Sequence, residues 1–195
     1  MAVSLLKKYE GGLSFNEIDS YTSKARTWYL NELQSLAVNR QRLLRDTETR
    51  KRNRLLPGRM FMYFYDPKHK DTLPYYDRFP LVLVLEKAKS GGFLGLNLHY
   101  LDYRKRAILL GNLLDFANNK KFDESTRLNM SYQMLKTSSK HRAFKPCLKQ
   151  YLPKHFRSDL REVPAEYWET VLFFPSEQFK KASKSKVFSD SRAML

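Results

Sequence analysis

Residues 57–101, PGRMFMYFYDPKHKDTLPYYDRFPLVLVLEKAKSGGFLGLNLHYL, constrain the fold more than any other stretch. They hold β-branched, aromatic and aliphatic residues at high density. Turn signals punctuate the run: Pro57, Pro67, Pro74 and Pro80, and Gly58, Gly91, Gly92 and Gly95. Three strands are expected, over Met60–Tyr65, Pro80–Glu86 and Phe93–Leu98. The middle one is mostly apolar, so it should be buried on both faces. Asp66–Asp71 is a polar turn, Leu73–Asp77 an extended loop, and Lys87–Gly92 a hairpin loop. Gly95, inside a strand, marks a bulge or a close backbone approach. A glycine-led strand, a loop and two closely connected strands suggest by analogy a small SH3-like β-barrel.

The flanks read as material attached to that core. Residues 1–13 form a short arm. Ser14 and Glu17 fit a capping box. Ile18, Tyr21, Ala25, Tyr29, Leu33 and Leu36 then recur at helical spacing, predicting an amphipathic helix over about 15–38. NRQRLLRDTETRKRNR (residues 39–54) extends that helix or links it to the β region. Helical spacing returns from Leu101 to Ala117, a second helix carries Leu128, Tyr132 and Leu135, and Phe144–Tyr151 suggests a third. Leu160–Val163 and Trp168–Phe174 look like strands returning to the barrel. The expected class is α+β: a small SH3-like barrel over 57–175 with a helical insertion at about 101–152. An N-terminal arm, amphipathic helix and basic linker precede it (1–56), and a basic C-terminal tail follows (176–195).

At 195 residues the chain suffices for one well-buried core. Its charge is less ordinary. Thirty-six Lys+Arg against 20 Asp+Glu give a formal net charge of +16. Self-repulsion of that size favours an anionic partner, nucleic acid being the commonest and an acidic protein surface the alternative. The single cysteine, Cys147, excludes an intrachain disulfide and suggests a small buried apolar residue. The N-terminus lacks a signal-peptide pattern, and no apolar run reaches membrane-spanning length, so a soluble protein, cytoplasmic at synthesis and without a membrane partner, is expected.

Two basic features stand out. Arg50, Lys51, Arg52 and Arg54 form the sharpest cluster, either a solvated linker or an arm that contacts phosphates and releases counterions. From Ser125 to Ser158 no carboxylate interrupts Arg127, Lys136, Lys140, Arg142, Lys145, Lys149, Lys154 and Arg157. Tyr132, Phe144, Tyr151 and Phe156 are interleaved with them. Such a pattern suits a groove that follows a phosphate backbone while rings stack on bases. The plainer alternative makes the rings core and the lysines a solvated face. Lys180, Lys181 and Lys184 add charge to the tail.

No catalytic motif accompanies these features. His69, His99, His141 and His155 show no zinc spacing, and no phosphate-binding glycine loop or nucleophile elbow is present. Asp66, Asp71, Asp77 and His99 are the most enzyme-like set, as a metal-dependent nuclease would need converging carboxylates. Their spacing is not diagnostic: Asp77 fits a turn residue bonding its own loop and His99 a structural histidine. No enzymatic activity, metal, cofactor or small-molecule substrate is expected.

Three blocks carry a resemblance: Leu73–Leu81 (LPYYDRFPL), Gly92–Leu101 (GFLGLNLHYL) and Phe144–Leu152 (FKPCLKQYL). With Ala182–Val187 and Ser189–Ser191, they resemble the DNA end protector family of T-even-like tailed bacteriophages, over roughly residues 57–191. The resemblance implies a virion protein that sits on packaged DNA ends near the head–tail junction and acts by binding. Other virion proteins of the neck, portal or tail are then implied partners. A neck, tail or baseplate component acting only through protein contacts is the alternative.

Overall fold

The computed structural model describes residues 40–102, 142–174 and 176–194, with positions 105, 106, 109, 132–134, 136, 137 and 140 between them. The expected capping box at Ser14, the helix over 15–38 and most of the two helices expected over 101–137 lie outside the described residues.

Six strands form one antiparallel sheet: β1 (Arg50–Arg52), β2 (Met60–Met62), β4 (Leu81–Lys87), β5 (Phe93–Asn97), β6 (Leu148–Tyr151) and β7 (Leu160–Val163). Their order is β1-β7-β2-β4-β5-β6. A two-stranded ladder joins β3 (Tyr76–Asp77) to β8 (Phe179–Lys180). Three α-helices have both ends among the described residues, α1 (Arg40–Leu44), α2 (Trp168–Phe173) and α3 (Lys184–Ala193), and the described positions between 105 and 140 are helical as well.

Strand β4 is central because LVLVL has no polar side to present to water, and all five residues are buried. Side chains alternate across a strand, so β4 feeds two cores. Leu81, Leu83 and Leu85 join Met60, Met62, Leu96 and Val163 under Trp168, Val171, Phe174 and Val187. Val82 and Val84 face the other way, with Phe61, Tyr63, Tyr65, Phe93, Tyr151 and Leu160. Burying each large side chain contributes about 1.5–3 kcal/mol relative to leaving it exposed.

The strand pattern expected over 57–101 is present, and the register shifts between Val84 and Glu86 opposite β5. Gly95 is the close approach anticipated there. A Cβ on it would lie 2.4 Å from Val82 Cγ1 and 3.0 Å from the Leu83 carbonyl oxygen.

Elsewhere the structure corrects the sequence expectations. Trp168–Phe173 is a helix, not a strand. Pro164 leads into a 3-10 turn at Ala165–Tyr167, and Trp168 Nε1 donates to the Val163 carbonyl at 3.0 Å. Tyr167, Trp168, Thr170, Val171 and Phe174 are then buried at helical spacing. A short apolar run suits either period, and the start imposed here by Pro164 selects the helix.

Phe144–Tyr151 is not one helix. Arg142–Cys147 is a 3-10 segment containing Pro146, and Leu148–Tyr151 becomes β6, paired with β5 from Phe93↔Tyr151 to Leu96↔Leu148. Proline cannot supply the N–H that a continuing helix needs. The insertion therefore ends before residue 148. With 168–173 helical, no described strand joins β1 to β6, and the sheet of the described residues keeps two ends. Residues 176–194, expected as a tail, carry β8 and α3. Ser183 caps α3 by accepting from the Lys186 N–H at 3.2 Å, and Val187 is fully buried.

Candidate nucleic-acid interface

The basic cluster at 50–54 comprises the edge strand β1 and the bend that follows it. In β1, Arg50 lies opposite Glu162, Lys51 opposite Arg161 and Arg52 opposite Leu160. Much of its charge is already matched. Arg52 Nε donates to Glu162 Oε2 at 2.5 Å, Arg59 approaches the same carboxylate at 3.6 Å, and Lys51 Nζ lies 3.0 Å from Asp159. Glu162 is 1% exposed, so Arg52 and Arg59 serve to hold a buried carboxylate. Arg50 and Arg54 are exposed, as is Lys51 beside its equally exposed partner Asp159.

At the opposite edge, β6 and the 66–76 loop enclose a groove of about 480 Å³, continuous with a smaller recess of about 100 Å³. Lys149 lines both, with Tyr65, Pro67, Leu73 and Gln150. Tyr75, Tyr76, Tyr100 and Tyr151 add ring surface to the recess, and Lys68 and His69 stand at the rim of the groove. Lys149 Nζ sits 4.2 Å from the Tyr100 ring centroid, a cation–π geometry. Burial lowers the Lys149 pKa, and no carboxylate among the described residues forms an ion pair with it.

Both walls are fastened. Lys181 Nζ donates to the carbonyls of Asp71 (2.8 Å) and Leu73 (3.1 Å). Across the groove, Gln150 Nε2 donates to Ser90 Oγ (2.9 Å) and to the Gly91 carbonyl (2.7 Å). Asp66, at the foot of the loop, takes Lys70 at 3.2 Å and Arg157 at 3.6 Å.

Beneath the recess lies a sealed polar knot. His99 Nδ1 donates to Asp77 Oδ2 at 2.6 Å, and His99 Nε2 accepts from Ser176 Oγ at 3.1 Å. The connectivity is that of a Ser-His-Asp relay, but His99 is 0%, Asp77 4% and Ser176 6% exposed. Asp77 also accepts from the N–H groups of Phe79 and Gln178, both at 3.0 Å, and from Asn97 Nδ2 at 3.2 Å. Burial pushes the Asp77 pKa up, but His99 and the two amides pull harder, and it ends below the ordinary carboxylate value. Burial lowers that of His99 despite the pull of Asp77. A carboxylate facing a neutral imidazole satisfies both trends. The knot ties the 77–79 turn to β5 and to residues 176–178. Asp66 and Asp71 are not part of it, and no metal-ligand cluster occurs among the described residues.

The remaining predicted residues are dispersed. Lys140, Lys145, Lys154 and Lys180 are exposed. The side chain of Arg142 lies outside the described residues. Lys136 approaches Glu86 at 3.8 Å, and Lys184 is paired with Glu177. Of the interleaved rings, Tyr151 is core, and Phe144 and Phe156 pack against core clusters. Cys147 is buried with its thiol pushed up to about 12. Tyr65, Tyr75, Tyr76 and Tyr100, which line the groove and its recess, were not among the expected contact residues, although the Leu73-Pro74-Tyr75-Tyr76 loop was a visible signal.

No curated protein matches the chain. No solved structure matches it either. The family described as phage T4 terminal DNA protecting protein matches residues 16–194. Nearly the whole chain is thus accounted for, the groove and both sheet edges included, and the protein belongs to the family of the phage T4 terminal DNA protecting protein.

Proposed function

We propose that the protein binds the ends of packaged phage DNA without sequence preference and shields them from exonucleases, near the head–tail junction of the virion. The observation that carries this reading is the family match over residues 16–194. The net charge of +16 supports it by favouring a polyanion, and the lysine-bearing tyrosine groove supports it by offering rings to unpaired bases. The protein acts by binding, with Arg50, Arg54, Lys149 and the exposed lysines at 140, 145, 154 and 180 as phosphate contacts. Neck, portal or tail proteins are its neighbours in the particle.

The test is an exonuclease challenge of linear duplexes of two lengths. Protection should saturate at a fixed number of proteins per end, whatever the length, and should weaken steeply with salt. Protection that scales with length, or none at low salt, would refute the reading.

A second reading makes the protein a neck, tail or baseplate component acting through protein contacts alone. It is favoured by the internal pairing of Lys51, Arg52 and Lys184 with Asp159, Glu162 and Glu177, which withdraws part of the charge from any DNA. It predicts no DNA binding, and recovery of the protein with DNA-free tails.

A further inference from the structure

We propose that the groove between the 66–76 loop and β6 is a site for one nucleoside monophosphate unit at a DNA strand end, with its phosphate on Lys149 and its base against the tyrosines. This rests on the end-binding reading and adds the part of the end that is recognised.

Three observations converge on it. First, Lys149 is a half-buried cation whose resolved partner is a ring and not a carboxylate. Desolvating an ammonium is costly unless an opposite charge compensates it, and a ring face offsets only part of that cost. A phosphate would supply the rest. Burial also lowers the lysine's proton affinity, a trend that an arriving anion reverses.

Second, the cavity has the right size and lining. The groove of about 480 Å³, lined by Lys149, Tyr65, Lys68 and His69, falls within the roughly 300–1,000 Å³ of small-ligand sites, and Tyr75, Tyr76 and Tyr100 line the adjoining recess of about 100 Å³. Tyr75 and Tyr76 are only partly buried, which leaves ring surface for a base. Tyr75 lies against Tyr100 with centroids 6.0 Å apart, so its outward surface continues the ring on which Lys149 sits. Stacking tolerates any base, as a sequence-independent end binder requires.

Third, the walls are held before a ligand arrives. Lys181 fixes the loop through two carbonyls and Gln150 fixes the hairpin. A pre-formed site loses less entropy on binding. Lys68 and His69, both exposed at the rim, lie where a preceding phosphate would leave the groove.

Calorimetric titration of the full chain with thymidine 5′-monophosphate, thymidine and inorganic phosphate tests the site. The monophosphate should bind at least tenfold more tightly than either fragment. Lys149→Ala should abolish that preference and Lys149→Arg should retain part of it, with thermal midpoints confirming that both variants fold. Equal affinity for nucleotide and nucleoside, or an unchanged preference in Lys149→Ala, would overturn the proposal. If the wild-type chain protects linear DNA yet ignores the monophosphate, the groove assignment fails while the end-binding function stands. If it does neither, both fail.

Discussion

Lys149 Nζ rests 4.2 Å from the centre of the Tyr100 ring, and Tyr100 is itself 5% exposed. The contact joins the edge of the sheet to the core without a counter-charge. Tyr100→Phe retains the ring face, whereas Tyr100→Leu removes it. The leucine variant should lose about 0.5–2 kcal/mol of DNA-binding free energy relative to the phenylalanine variant. Fluorescence anisotropy with a labelled oligonucleotide reads the difference.

Breaking the buried pair of Asp77 and His99 leaves an uncompensated group in the core. Asp77→Ala orphans the His99 Nδ1–H and the donors of Phe79, Asn97 and Gln178, and at about 1–3 kcal/mol for each buried donor left unsatisfied it should destabilise the fold by several times the cost of a single hydrogen bond. Ser176→Ala removes one neutral hydrogen bond and should cost about 1 kcal/mol. Urea unfolding curves separate the two, and a cost for Asp77→Ala no larger than that for Ser176→Ala would mean the knot is not a structural tie.

The same pair sets a pH dependence. His99 is held neutral in the fold by burial, with Arg106 and Lys184 adding to that effect and Asp77 opposing it. The unfolded chain protonates this histidine as pH falls through about 6.5. Unfolded chains then bind more protons than folded ones, so stability falls below that pH, by up to about 1.4 kcal/mol per pH unit. Asp77, depressed in the fold, contributes stability above about pH 3.9 that is lost as pH falls through its folded value. Urea midpoints at pH 7.5, 6.0 and 5.0 should decline in order, and His99→Gln should flatten that decline.

The arginines of β1 and of the bend that follows it should respond differently. Arg52→Ala leaves Glu162 with a weakened partner set and should lower stability. Arg50→Ala with Arg54→Ala should leave stability nearly unchanged. The double variant should also reduce the salt slope of duplex binding by about 0.9 for each phosphate no longer neutralised. A salt slope that moves with Arg52→Ala but not with the double variant would reverse the assignment.

Gly95→Ala places a methyl 2.4 Å from Val82 Cγ1. Overpacking of this kind should cost about 1–3 kcal/mol, and differential scanning calorimetry reads it directly.

How far the chain could be read beforehand depended on the physics at each place. LVLVL and the Gly91-Gly92 hairpin announce themselves because period, composition and turn chemistry agree there. Residues 168–174 did not, because an apolar run of that length buries equally well as helix or strand until Pro164 sets its start. Lys149 was visible as one lysine among eight cations. Its distinction lies in what surrounds it, since Tyr65, Tyr75 and Tyr100 are far away in sequence and only the fold brings their rings beside it. Tyr151 and Phe156, close in sequence to the charges, turned inward because β6 and the bridge between Tyr65 and Phe156 place them in the core.

The pairing of β3 with β8 carries a consequence for synthesis. Tyr76 and Asp77 are held by Lys180, Phe179 and Gln178, with Asp77 and Gln178 lying 101 positions apart. The loop that walls the groove is laid down early and fastened late. A nascent chain still on the ribosome presents an unfinished wall until residues 178–181 emerge. On the strand-end assignment proposed above, competence arrives as the last strand docks, and chains cut short of it should circulate in the cell without capturing DNA.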